Sequence, residues 1–149
     1  MKKVLLLILV AGFAVNEFLE QNPDFVAPSG SSPLPIVKSN DQAINNAYQN
    51  RQSDVQVNGS GIVIRTLSDD KKGNQHQRFL VKLASGNTVL IAHNIDLAPR
   101  INALREGDMI DFYGEYEWNK KGGVVHWTHH DPRGNHESGW LKHKGSTYQ

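Results

Sequence analysis

From residue 110 to residue 118 the chain alternates without a break. Ile110, Phe112, Gly114, Tyr116 and Trp118 fall on one parity, and Asp111, Tyr113, Glu115 and Glu117 on the other. A period of two is what a β-strand with one dry face and one wet face requires, because successive side chains leave opposite faces. The same period returns in Val55, Val57, Gly59, Gly61 and Val63, in Phe79, Val81 and Leu83, and along residues 88–93. Glycines at alternate positions of the first strand imply strong coiling or a close backbone approach. Polar, glycine-bearing turns separate the strands at residues 69–75 (DDKKGNQ), 84–87 (ASGN) and 119–122 (NKKG). Such a chain folds as hairpins with one face buried.

Two helical segments are expected around these strands. Ile44, Ala47, Tyr48 and Arg51 recur at helical spacing behind an N-cap at Ser39 or Asn40. Residues 95–104 (IDLAPRINAL) place Leu97, Ile101 and Leu104 on one helical face and stop at Gly107-Asp108. Residues 124–130 read as a further strand, with His126, Thr128 and His130 on one face and Val125, Trp127 and His129 on the other. Asp131-Pro132-Arg133-Gly134 has the residue order of a type I turn. A last hairpin turns at Lys144-Gly145. A long Gly-bent strand, a hairpin, a short helix, a strand and a second hairpin are the order of a five-stranded OB-like barrel. The expected class is mainly β, with one short helix between strands 3 and 4, preceded by another short helix and a disordered tether. An SH3-like barrel and an open α+β sheet are the neighbouring alternatives.

The first residues fall outside that pattern. Lys2 and Lys3 precede an apolar run, residues 4–10 (VLLLILV), and Gly12-Phe13-Ala14 supplies the small-large-small pattern of a cleavage site. Residues 1–14 therefore read as a signal peptide, and an uncleaved anchor is the alternative. The apolar stretch is shorter than the roughly 20 residues that a span needs. Residues 15–39 hold four of the six prolines together with Ser29, Gly30, Ser31 and Ser32, and read as a flexible linker. Residues 40–149 are the expected barrel domain with its N-terminal helix. The predicted location is periplasmic or secreted.

With no cysteine, the chain has neither a lipoprotein attachment point nor a disulfide, so its core alone must hold it together. Removing residues 1–14 takes Lys+Arg from 16 to 14 against Asp+Glu 15, moving the formal charge from +1 to −1. That excludes the strong basic bias of a dedicated duplex-DNA binder.

Several blocks carry a resemblance: GSGIV, DDKKGNQHQRF, LIAHNIDLAPR, GDMIDFYGEYEWN, GGVVHWTHHDPRG and GWLKHKGSTYQ. Over residues 58–149 the chain resembles an uncharacterised family of exported bacterial proteins, domain of unknown function 3465. The resemblance implies a small periplasmic or secreted domain and carries no activity with it.

The residues that bring chemistry crowd into the last third. All three tryptophans (Trp118, Trp127, Trp140) and five of seven histidines (His126, His129, His130, His136, His143) lie between residues 118 and 143. Imidazoles ligate metals and transfer protons near neutral pH. On a straight strand His126 and His130 stand about 13 Å apart, too far to share an ion. A bend followed by the turn at Asp131 would gather His126, His129, His130, Asp131 and His136, with His93 and Asp96 completing a set suited to a divalent metal such as zinc. No HExxH motif fixes that geometry. Histidines that cap strands and pack on tryptophan are the plain alternative. Glu115 and Glu117 read as a solvated strand face.

A ligand face is the other candidate. OB-like barrels bind oligonucleotides or oligosaccharides on strands 2 and 3 and adjoining loops. Here Arg78, His93, Asn94, Asp96, Arg100 and Trp127 would line such a site, with His76, Lys82 and Tyr113 nearby. With few bases, nucleic-acid binding would be weak and salt-sensitive. The expected function is an exported binding domain for a polyanionic or saccharide ligand, or for another envelope protein. The alternatives are a metal-dependent, phosphodiesterase-like hydrolase built on the histidines, and a structural accessory protein. The sequence leaves catalysis open.

Overall fold

The computed structural model describes residues 41–149, so the expected signal peptide (residues 1–14), the linker (residues 15–39) and both candidate N-caps lie outside the described residues. Within them one helix, α1 (Asp41–Gln49), precedes the strands β1 (Val55–Thr66), β2 (His76–Leu83), β3 (Thr88–Asn94), β4 (Met109–Glu117), β5 (Val124–His126), β6 (Trp140–His143) and β7 (Ser146–Tyr148). No helix among the described residues is long and apolar enough to cross a membrane.

The strands run β1-β2-β3-β5-β4, and β4 pairs back onto β1 to close a ring of five. Every pairing is antiparallel except β3–β5, where Leu90 and Ile91 lie beside Val124 and Val125 in parallel. This is the five-stranded OB-like barrel, closed so that β1 leaves no free edge in the ring. One strand can serve two neighbours because it is long and coiled. Residues 55–62 pair with β4, and Gly61 onward pairs with β2. The register with β2 slips between Val63 and Arg65, a bulge that increases the local twist. Gly59 shows why the strand needs glycine: a Cβ there would stand 2.4 Å from Cζ of Phe112. The aromatic ring occupies the space that a side chain would need.

Period-two patterning fills the interior. Val57, Val63, Phe79, Val81, Ile91, Ile110, Phe112, Tyr116 and Val125 are buried and form one core. Helix α1 adds Ile44 and Ala47 to it. It is fastened through the Asp41 carboxylate, which accepts from the Ser85 amide (3.2 Å), and through the Tyr48 carbonyl, which accepts from the Trp118 indole (3.1 Å).

The helix expected between β3 and β4 does not form. Residues 95–104 are turns. One helical step exists, the Ala98 amide on the Asn94 carbonyl at 3.2 Å. Pro99 follows at once, without an N–H and hindering the α conformation of the residue before it. Leu97, expected on the buried face, is 44% exposed, whereas Ile101 is fully buried. The backbone of Ile101 is satisfied instead by a side chain. The Gln77 amide donates to its carbonyl and accepts from its N–H, both at 2.9 Å.

The strand expected over residues 124–130 is also shorter. β5 ends at His126, and Trp127 takes a left-handed backbone (φ 54°) that no strand continues through. The shared face predicted for His126, Thr128 and His130 is therefore absent.

Candidate functional site

β5 and β6 pair in tandem along one edge of β4, opposite residues 115–117 and 111–113 respectively. The segment joining them, residues 127–139, leaves the barrel wall between the two and folds back on itself. Asp131 organises it. One carboxylate oxygen accepts from the Arg133 amide (3.0 Å), the other from the Asn135 and His136 amides (2.8 and 2.9 Å). The Gly134 amide closes the expected turn on the Asp131 carbonyl at 3.1 Å. These bonds, the Arg133 amide foremost, hold the Asp131 carboxyl below the usual range. At the far end Gly139 donates to the His129 carbonyl (2.9 Å). A Cβ on Gly139 would stand 2.0 Å from the Trp127 carbonyl oxygen, so only glycine lets the returning chain lie this close.

Between this segment and the β3–β4 connection opens a cleft of about 790 Å³. Asn74, His76, Asn94, Asp96 and Leu97 line one side, and His126, Trp127, His129, Arg133, Asn135 and His136 the other. Trp127 is the aromatic wall. His136 lies flat on its indole, with centroids 4.0 Å apart and planes 6° apart. Asn94 and Asp96 shape the opposite wall. Asn94 accepts from the Asp96 amide (3.0 Å), and Asp96 accepts from the Gln75 amide (2.7 Å).

Of the residues singled out from the sequence, Asn94, Asp96, Trp127, His126, His129, Asp131 and His136 line the cleft. Four are placed elsewhere. His93 is wholly buried and does not line the cleft. Its Nε2 lies 3.1 Å from the Pro99 carbonyl, which can only accept, so Nε2 carries the proton and Nδ1 accepts from the Thr128 hydroxyl at 2.8 Å. Burial pushes its pKa down to about 4, so the ring stays neutral as a rivet between two loops. Arg78 donates twice to the Ser68 carbonyl (2.9 and 3.2 Å). Arg100 pairs with Asp69 (2.9 and 3.2 Å). His130 is exposed, with the Ser138 hydroxyl 3.0 Å from its Nδ1.

The metal-type donors also sort differently from the expected set. Asp131 spends both oxygens on its own turn, and His129 Nδ1 donates to the His130 carbonyl at 2.8 Å. Glu115 and Glu117, read from the sequence as solvated, instead face His126 across the β4–β5 ladder. The Nε2 of His126 lies 3.4 Å from Glu115 and 3.5 Å from Glu117. The other Glu115 oxygen is 2.5 Å from His136 Nε2. Because His136 Nδ1 also faces a carbonyl, that of Glu137 at 2.8 Å, its ring is placed to donate from both nitrogens. Burial opposes the charge, but the Glu115 bond, the Glu137 carbonyl and the negative charges of Glu115 and Asp131 outweigh it and raise the His136 pKa. The protonated form of this ring is further favoured by its stacking on an indole face. The sequence carried one signal for this arrangement: Glu115 and Glu117 share a parity on the strand that pairs with His126.

A closed five-stranded barrel with a loop-built cleft on its wall is thus the class that fold and site define. The chain belongs to the family described as protein of unknown function (DUF3465), which matches it over residues 26–149. Among curated proteins, none matches the chain.

Proposed function

We propose that this domain is an exported binding module that takes a small, uncharged polar ligand of the saccharide class in the cleft beside Trp127. The observation that carries the reading is the chemistry of the lining. Its polar groups are side-chain amides, imidazoles, one indole and the carboxylates of Asp96 and Asp131, which accept from backbone amides, with Arg133 as its one Lys or Arg side chain. Arg78 and Arg100, the bases a polyanion would need, are engaged outside it. Planar amides and imidazoles that present both donors and acceptors suit hydroxyl groups, and an indole suits the apolar face of a sugar ring. Export rests on Lys2, Lys3 and the apolar run at residues 4–10.

The test is titration of the protein with neutral oligosaccharides, followed by tryptophan fluorescence and calorimetry, beside a parallel titration with single-stranded oligonucleotide. Saturable binding of a neutral sugar that persists at high salt supports the reading. Binding confined to the oligonucleotide and lost with salt would replace it with the polyanion alternative.

A further inference from the structure

We propose that Glu115, Glu117 and His126 form a binding site for one divalent cation of the zinc type on the β4–β5 ladder. The inference stands apart from the saccharide reading and rests on separate observations.

The first is the spacing of the donors. Four-coordinate zinc holds nitrogen and carboxylate oxygen at about 2.0–2.2 Å, which puts neighbouring ligand atoms about 3.3–3.6 Å apart along the edge of a tetrahedron. The His126 nitrogen stands at 3.4 and 3.5 Å from its two carboxylates. The three residues form the one group of metal-type donors among the described residues whose ligand atoms all lie within 4.8 Å of one another.

The second is an unpaired atom. His126 Nε2 is shut off from solvent and has no hydrogen-bond partner, since neither carboxylate contact meets hydrogen-bond geometry. A buried ring nitrogen without a partner is costly unless something else satisfies it. A cation between it and the two carboxylates would do so, and would also neutralise two acids held close together.

The third is the way the ligands are held. Glu115 and His126 are directly paired across the antiparallel ladder, and Glu117 lies two residues along the same face. Strand pairing therefore presets the three side chains. His136 holds the second oxygen of Glu115, as groups outside a metal's ligand set commonly do for a ligating carboxylate. Since His126 and His136 both line the cleft, the ion would sit in its wall.

The experiment titrates the full chain with zinc against a chromophoric chelator and repeats the measurement with cobalt(II), whose visible absorption reports coordination geometry. One equivalent should bind, with the intense bands of a four-coordinate cobalt site. His126→Ala should abolish binding. Glu117→Gln, a partly exposed and isosteric change that keeps the fold if the first variant does not, should weaken it about tenfold or more. His130→Ala, which lies outside the cluster, should leave it unchanged. Absence of a saturable equivalent overturns the proposal, as does binding that survives both His126→Ala and Glu117→Gln. Loss on His130→Ala equal to that on His126→Ala also overturns it, by placing the ion elsewhere.

Discussion

The buried His93 ring makes the barrel sensitive to acid in a way that can be worked out in advance. It is fully inaccessible and its two nitrogens are satisfied as a neutral ring by Pro99 and Thr128. Burial is the main cause of its lowered pKa, and positive charge on His129 and His76 pushes the same way. In the unfolded chain the ring titrates at 6.5, in the folded domain at about 4. Between those values the unfolded state binds a proton that the folded state refuses, so falling pH favours unfolding. Above 6.5 the effect vanishes, and below about 4 it has reached its full size. At about 1.4 kcal/mol per pH unit, that window removes roughly 3 kcal/mol, most of it by about pH 4.5. The assay is urea unfolding at several pH values between about 7.5 and 4.5, read by tryptophan fluorescence. His93→Gln keeps a donor and an acceptor but cannot titrate. It should cost stability at neutral pH and lose acid sensitivity, so the two curves converge as pH falls. Parallel curves for the two proteins would refute the reasoning, because the acid response would then belong to other groups.

Three further changes test the packing and the cleft. Gln77→Leu leaves both the N–H and the carbonyl of buried Ile101 without partners. It should cost about 2–4 kcal/mol, seen as a lower urea midpoint with an unchanged slope. Gly59→Ala drives a methyl into the Phe112 ring, and a loss of about 1–3 kcal/mol is expected. Phe112→Leu in the same chain should return part of that loss, and a strictly additive double variant would show that the two positions do not collide. Trp127→Ala should weaken binding of a neutral oligosaccharide about tenfold or more, with the thermal midpoint followed in parallel. Unchanged affinity in calorimetry would remove Trp127 from the ligand wall.

Alternation was enough to read the barrel. Burial follows the parity of Val57, Phe79, Ile91, Ile110 and Phe112 because a two-residue period has one consequence in a sheet. The segment at residues 95–104 misled because Ile101 and Leu104 do go into the core, as a helical stripe would place them. What the spacing cannot express is that Pro99 ends the helix after one step and that Gln77, 24 residues before Ile101, supplies the missing main-chain bonds. The cleft was half legible. A turn at Asp131 folding the histidine segment back was written in its Asp-Pro-Arg-Gly order. Yet Asp131 looked like a ligand and is consumed by its own turn, a use of carboxylate oxygens that composition cannot distinguish from any other. Glu115 and Glu117 looked solvated because a strand's outer face normally is, and only the pairing with β5 brings an imidazole over them.

The histidines show how one residue type is divided among tasks by what lies within a few ångströms of each ring. His93 and His143 are buried, the first neutral between two loops and the second against Asp108 at 2.8 Å. His129 and His130 fasten the excursion of the chain to itself and to Ser138. His136 is bonded to Glu115 and stacked on Trp127, so it couples the carboxylate cluster to the aromatic wall of the cleft. His126 alone, among those with a fully enclosed ring nitrogen, finds no partner for it. A slip of one residue between β4 and β5 would turn that ring to the other face and leave Glu115 opposite an apolar side chain. Chemistry at this wall therefore depends on strand register, which the barrel's closure on β1 and the parallel β3–β5 contact hold in place from both sides.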